Sequence, residues 1–258
     1  MEIDATILIR LGATRCNLYN NKCNTDTPPR QMRKIKPTRR SVSGILPFRG
    51  EVSIPFESTL ERDFIIRKEF SRLVSEVIPQ PVQIPFEVGG RTYTYTPDFL
   101  VYYRTDDYPW ACGMKPLLVE VKERQEVREN WSKMRPKFRA ALRYAKQNGW
   151  DFRVHDETRI RDQVLDNIRF LGRYKRMEFQ PADTAFILST LQSMGQAPFH
   201  YLVSRHFNGS TDTAIGVAHI WHLLVTNQIE CDMTLPLTND TILWVPCSEI
   251  PPYDYTRN

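Results

Sequence analysis

Two short stretches carry residue types at a spacing that suits phosphodiester chemistry. TYTPDFLVYY contains Pro97-Asp98, and KPLLVEVKER, twenty-two positions on, contains Glu120-Val121-Lys122. Hydrolysing a phosphodiester takes an in-line water, neutralisation of phosphate charge, and a leaving 3′ oxygen made less basic. Two Mg²⁺ ions a few ångströms apart supply all three. Magnesium takes hard oxygen ligands, so Asp98 is a candidate central, bridging ligand and Glu120 a second. The backbone carbonyl of Val121, between the two side chains, can add a third. Lys122 lies two residues from Glu120, on the same side of an extended strand, where it can orient or help deprotonate the attacking water. A nearby cation would lower its pKa, because like charge disfavours the ammonium. One or two Mg²⁺ ions suit this set, with Mn²⁺ able to substitute.

The flanking sequence must hold these residues in place. Alternation over Leu117–Lys122 puts Leu118, Glu120 and Lys122 on one face and Leu117, Val119 and Val121 on the other. The apolar flanks predict a buried strand, where a carboxylate and an ammonium need partners. Phe99–Tyr103 predicts the neighbouring strand, and residues 104–116 a loop around Trp110. Val82–Val88, Gly89-Gly90 and Arg91–Tyr95 read as a hairpin with a primed turn. Upstream, Val52–Phe56 predicts a short strand. Ser58 then starts a helix to about Val77, with Leu60, Phe64, Ile65, Phe70, Leu73 and Val77 inward. Glu61, three residues after Ser58, completes a capping box; its other reading is a ligand to a metal or to metal-bound water, presented from the first turn.

Trp131–Gln147 predicts an amphipathic helix, with Trp131, Met134, Phe138, Ala141, Leu142 and Ala145 inward and a basic outer face, ended by Asn148-Gly149. Trp150–His155 predicts a strand and Arg161–Leu171 a helix. The order helix, three strands, helix, strand implies an α/β domain with a mixed sheet, over residues 30–175. Residues 1–29 read as a poorly packed leader, and Met32 offers an internal start. Arg30–Arg49 holds seven basic residues and no acid. That arm reads either as a solvated tail or as a phosphate-binding arm. Arg33, Lys34, Lys36, Arg39 and Arg40 are its candidate DNA contacts, joined by Lys133 and Lys137 of the basic helix. Residues 176–258 predict three helices, Thr184–Gln192, Pro198–Phe207 and Thr211–Val225, then two paired strands in IECDMTL and TILWVPC, a winged-helix-like unit. Its third helix has almost no Arg or Lys, which favours protein interaction over duplex reading. His219 and His222 share a helix face but find no third ligand, so a polar face is the better reading than a metal pair.

Composition narrows the classes. No run of eighteen apolar residues occurs, so no membrane-spanning helix is expected. Five scattered cysteines without a CxxC pair point to free thiols in a reducing cytosol, not to a disulfide or zinc framework. A net charge of +5 permits nucleic-acid binding without requiring it.

Asp followed by Glu-x-Lys is the constellation of the PD-(D/E)xK nucleases. Beyond it, RRSVSG, FESTLERDFI, YTPDFLV, LLVEVK, KFRAALRYAKQNGWDFRV and NIRFL, in that order, resemble the TnsA family, the endonuclease subunit of heteromeric transposases. The resemblance runs from about Arg39 to Arg173. It implies a restriction-endonuclease-like domain with Glu61, Asp98, Glu120 and Lys122 as the catalytic set. It implies cleavage of the 5′ strands at the ends of double-stranded transposon DNA, beside a TnsB-like transposase that cuts and joins the 3′ strands. A TnsC-like ATPase would meet the C-terminal domain. Such proteins also occur in CRISPR-associated transposons, and a bacterial cytoplasmic location follows. Two alternatives stand beside this: a non-cutting assembly factor bridging transposase and regulator, and a stand-alone restriction or repair nuclease.

Overall fold

The structure is a computed structural model that describes residue 31 and residues 42–105, 111, 113–207 and 210–247. At its centre are four strands in the order β3-β6-β7-β8: β3 (Val74–Pro79), β6 (Phe99–Tyr103), β7 (Leu117–Val121) and β8 (Asp151–His155). The first three are antiparallel neighbours, with Leu100 opposite both Ile78 and Leu118. β8 runs parallel to β7 and sets Val121 opposite His155. The sheet is therefore mixed, and the chain is α/β.

Both faces of this sheet are covered. Leu60, Phe64 and Ile65 of α1 (Thr59–Phe70) pack on Val77, Phe99, Val101, Val119 and Val121, together with Phe48, Ile54 and Phe56 from a hairpin of β1 (Gly44–Phe48) and β2 (Val52–Phe56). On the other face, Met134, Phe138, Ala141 and Ala145 of α3 (Trp131–Gln147) cover Ile78, Leu100 and Leu118. They are joined by Ile84 and Tyr95 from the hairpin β4 (Ile84–Val88) and β5 (Arg91–Tyr95). Every residue of β7 is buried as a result. The alternation read from sequence holds, with one face on α1 and the other on α3. Gly89 and Gly90 both have positive φ, as the primed turn requires.

Several expectations are corrected. The first helix stops at Phe70, not Val77: Ser71 turns extended, and Val74–Pro79, rich in β-branched residues, joins the sheet as an edge strand. Gly44–Phe48, expected within the basic arm, is strand β1. The hairpin β4–β5 stands outside the central sheet. A short helix α2 (Arg124–Glu129) precedes α3. Trp131 and Leu142, expected inward on α3, are about half exposed; the face that meets the sheet is narrower and made of Met134, Phe138 and the alanines.

After α4 (Glu157–Ile160), α5 (Gln163–Leu171) leads into the C-terminal half: α6 (Pro181–Met194), β9 (Gln196–Pro198), α7 (Phe199–His206), α8 (Ser210–Val225) and β10 (Ile242–Trp244). Its core gathers Ile187, Leu191, Phe199, Leu202, Ile220, Trp221 and Leu243 around Val164, Ile168 and Leu171 of α5, with Ile66 and Phe70 of α1 against it. The three helices appear where expected. The two strands expected to pair with each other share only the bridge between Glu230 and Trp244, and the ladder of β10 is with β9. Asp232 explains this: it accepts from both the N–H and the hydroxyl of Thr234, folding a local turn, while Asn167 donates to the carbonyls of Met233 and Leu235. No helix of the described residues is long and apolar enough to cross a membrane.

Candidate active site

The site lies where the start of β6, the end of β7 and the first turn of α1 meet. Pro97 and Asp98 enter β6. The backbone carbonyl of Asp98 accepts from the N–H of Gln80 at 2.7 Å, which ties it to the end of β3. Its side-chain Oδ2 accepts from the N–H of Val121 at 2.7 Å. The carboxylate thus takes the place of a backbone acceptor at the end of the β6–β7 ladder, and locks Asp98 beside Glu120 and Lys122.

Glu120 is buried, and each of its oxygens holds one donor. Oε2 accepts from the Tyr95 hydroxyl at 2.7 Å, and Oε1 from Lys137 Nζ at 2.8 Å. Glu120 also holds the phenol of Tyr95 in its protonated form: burial, then the neighbouring carboxylate, raise its pKa. Lys122 points to Glu126 of α2, with 3.1 Å between Nζ and Oε1. Burial works against its ammonium, but Glu126, Glu120 and Asp98 outweigh it, and its pKa lies above the ordinary lysine value.

Glu61 takes the first of the two roles considered for it, the helix cap. Its N–H donates to Ser58 Oγ at 3.1 Å, and its carboxylate accepts from Ser58 Oγ and from the N–H of Glu57, a helix cap. The same carboxylate also lies in the field of Asp98. Burial first, then Glu120 and Glu61, push the Asp98 carboxyl well above its usual range. Burial likewise raises Glu61, against its cap hydrogen bonds. Three acids from separate parts of the chain thus concentrate negative charge at one place.

A divalent cation suits such a site. The donors fit in kind: hard oxygens with an excess of like charge that a cation relieves. Asp98 and Glu120, with the Val121 carbonyl, would hold it, and Glu61 would act through water. Among the described residues no three His, Cys, Asp or Glu side chains converge closely enough to hold a metal as they stand. In this arrangement the cap engages Glu61, and Tyr95 and Lys137 engage Glu120. When bound, the ion would supply charge neutralisation and an activated water. The chain itself contributes the fixed pairing of Asp98 with β7, and the protonated Lys122 paired with Glu126.

Of the candidate DNA contacts, Arg33, Lys34, Lys36, Arg39 and Arg40 lie outside the described residues. Lys133 is exposed on α3. Lys137, expected on the same outer face, is half-buried against Glu120. Arg135, Arg139 and Arg143 are exposed and line a groove of about 680 Å³ between α3 and β4, with Phe86, Pro136 and Leu142. Sequence reading missed Tyr95 and Glu126 as site neighbours. The first could have been read from its place two residues before Pro97, the second from its i, i+4 spacing to Lys122. His219 stacks on Phe179 at 4.2 Å and bonds Thr184, and His222 Nδ1 donates to the carbonyl of Tyr174, so both imidazoles serve packing.

Comparison with known proteins adds the family. A model described as TnsA-like endonuclease N terminal matches residues 71–157, and one described as TnsA endonuclease C terminal matches residues 159–233, together more than half of the chain. The chain belongs to the TnsA endonuclease family. Membership makes it an endonuclease of Tn7-like transposition with DNA as its substrate, and divalent metal use is general to such nucleases. Asp98, Glu120 and Lys122 fall within the N-terminal TnsA match; Glu61 lies ahead of it. Among curated proteins none matches the chain.

Proposed function

We propose that this TnsA-family chain is a Mg²⁺-dependent endonuclease that cuts the 5′ strands at transposon ends in cut-and-paste transposition. Asp98, Glu120 and the Val121 carbonyl bind the metal, Glu61 supports it through water, and Lys122 orients and deprotonates the attacking water. The observation that carries the reading is the Asp98 carboxylate, bonded to β7 beside Glu120, with its pKa raised by burial first and then by Glu120 and Glu61. For Lys122 to act as a base, its pairing with Glu126 must break and the field of Glu120 and Asp98 must be offset; a cation held by Asp98 and Glu120 would supply the second. The basic arm and the outer face of α3 bind the flanking duplex. The C-terminal half, poor in basic residues on α8, meets a TnsC-like ATPase, and a TnsB-like transposase completes excision.

The test is cleavage of labelled transposon-end DNA with Mg²⁺, with and without TnsB-like and TnsC-like partners. Wild type should nick the 5′ strand, and Asp98→Ala and Lys122→Ala should lose at least a hundredfold in rate, the scale of a missing ligand or acid–base group (roughly 10²–10⁴-fold). Nicking that persists in both variants refutes the site. The absence of nicking under every condition refutes the enzymatic reading and favours a bridging assembly factor.

A further inference from the structure

We infer that Lys137 is the exchangeable counter-ion of Glu120: it and a divalent cation compete for the same carboxylate oxygen. The inference rests on the metal-dependent reading above and concerns a residue of α3 outside the Asp98, Glu120, Lys122 set. Glu120 is buried on the central strand, where an unpaired carboxylate is costly. The lysine two residues away in sequence does not compensate it at contact distance, because Lys122 is turned to Glu126. Lys137 does, at 2.8 Å from Oε1.

Its ammonium occupies a built slot. Nζ lies 4.7 Å from the centroid of the Tyr95 ring and 5.1 Å from that of Phe138, and the side chain is 22% exposed. Aromatic faces attract a cation, so the slot holds positive charge by design of its walls as well as by Glu120. Tyr95 completes the arrangement by donating to the other oxygen, which leaves Glu120 with a protein donor on each side.

An ammonium bonded to Oε1 and a divalent ion ligated by the same oxygen repel one another at short range. Metal entry therefore displaces Lys137 from Glu120. Its flexible four-carbon stem then carries the ammonium outward, toward Lys133 one turn away on α3, where it can meet a phosphate. Glu120 keeps a positive partner throughout.

The experiment measures Mn²⁺ binding to the full chain without DNA, by electron paramagnetic resonance of the free ion and by titration calorimetry. Lys137→Met removes the competing charge at nearly constant length, and Lys137→Gln keeps a donor for Glu120 should the methionine variant fold poorly. Both should bind Mn²⁺ at least tenfold more tightly than wild type, and Lys137→Arg within about threefold of it. Tyr95→Phe, which removes a donor but no charge, should not tighten binding. A purely structural Lys137 would leave Mn²⁺ affinity unchanged or weaken it on substitution, and either result in the folded Met or Gln variant overturns the inference while leaving the metal site intact. If neither wild type nor any variant binds Mn²⁺, the inference and the metal-dependent reading fall together.

Discussion

Replacing Asp63 by Asn should loosen α1 from the helices that follow β8. Asp63 is fully buried, yet its carboxylate receives Arg161 Nε at 2.9 Å, an Arg169 guanidinium nitrogen at 2.7 Å and one from Arg62 at 3.2 Å. Arg161 precedes α5 and Arg169 lies on it, so one carboxylate ties α1 to both. Close by, Arg67 donates to the carbonyl of Ile160 and pairs with Asp162. Burial alone would raise the Asp63 pKa, but the arginines overcome it and hold the carboxyl below its ordinary value. Removing one member of a buried ion pair costs roughly 3–5 kcal/mol. The arginine heads here are 37–42% exposed and regain water, so about 2–3 kcal/mol is expected of Asp63→Asn. For a chain of this size that is a fall in Tm of roughly 5–10 °C. Scanning calorimetry at pH 7 reads it directly. Because the folded carboxyl titrates below its unfolded value, its stabilisation is present above about pH 4 and fades as pH falls further; the gap to Asp63→Asn should close there. A second arm uses Arg161→Gln with Arg169→Gln. Those losses should largely overlap with that of Asp63→Asn, since all remove the same contacts. A variant melting within about 2 °C of wild type, or full additivity with the arginine changes, refutes the argument.

Burial, followed by the positive field of Lys68 and Arg159, holds His155 neutral with a pKa near 3. Its stabilisation is complete above its unfolded value of about 6.5 and declines as pH falls toward 3. Urea midpoints at pH 7, 5.5 and 4 should drop steadily in wild type and less steeply in His155→Phe; parallel slopes would contradict this. The Cys231 thiol is buried and pushed up to about 12, whereas Cys247 is exposed. Mass spectrometry after brief iodoacetamide treatment at pH 8 should find Cys247 alkylated and Cys231 intact, and equal labelling would place Cys231 at the surface. A Cβ on Gly216 would come within 2.4 Å of the Phe207 ring. Gly216→Ala should cost about 1–3 kcal/mol by overpacking, read as a lower urea midpoint; an unchanged midpoint means that the ring moves freely.

Local rules carried far where local chemistry decides. Gly89-Gly90 marked a hairpin because only a positive-φ turn joins those strands, and Asn148-Gly149 marked the end of α3. The strand around Glu120 was legible as a near-continuous apolar run because both faces of β7 are buried. Local rules misread places where two periods coincide. Leu73 and Val77 extend the helical spacing of α1, but Val74, Val77 and Ile78 serve equally in a strand, and pairing with β6 decides. Site neighbours were the hardest to read. Glu120 meets Tyr95 and Lys137 from twenty-five and seventeen positions away; the place of Tyr95 just before Pro97 offered a hint, and no local pattern announces Lys137. For Lys137 the outer basic stripe of α3 suggested solvent, yet the helix turns this one lysine inward.

The sharing of α5 between the halves has a bearing on modularity. The two matched models meet between residues 157 and 159, just ahead of α5, whose Val164, Ile168 and Leu171 pack into the C-terminal core. Ile66 and Phe70, farther along the same helix as Glu61, press on that same core. A graft that swaps tails between relatives at the linker after Tyr174 would split this core, and one made ahead of α5 would still need a donor tail shaped to Ile66 and Phe70. Tail and nuclease must therefore change in concert, and recombination between diverged relatives should survive only where the surface of α1 travels with its tail.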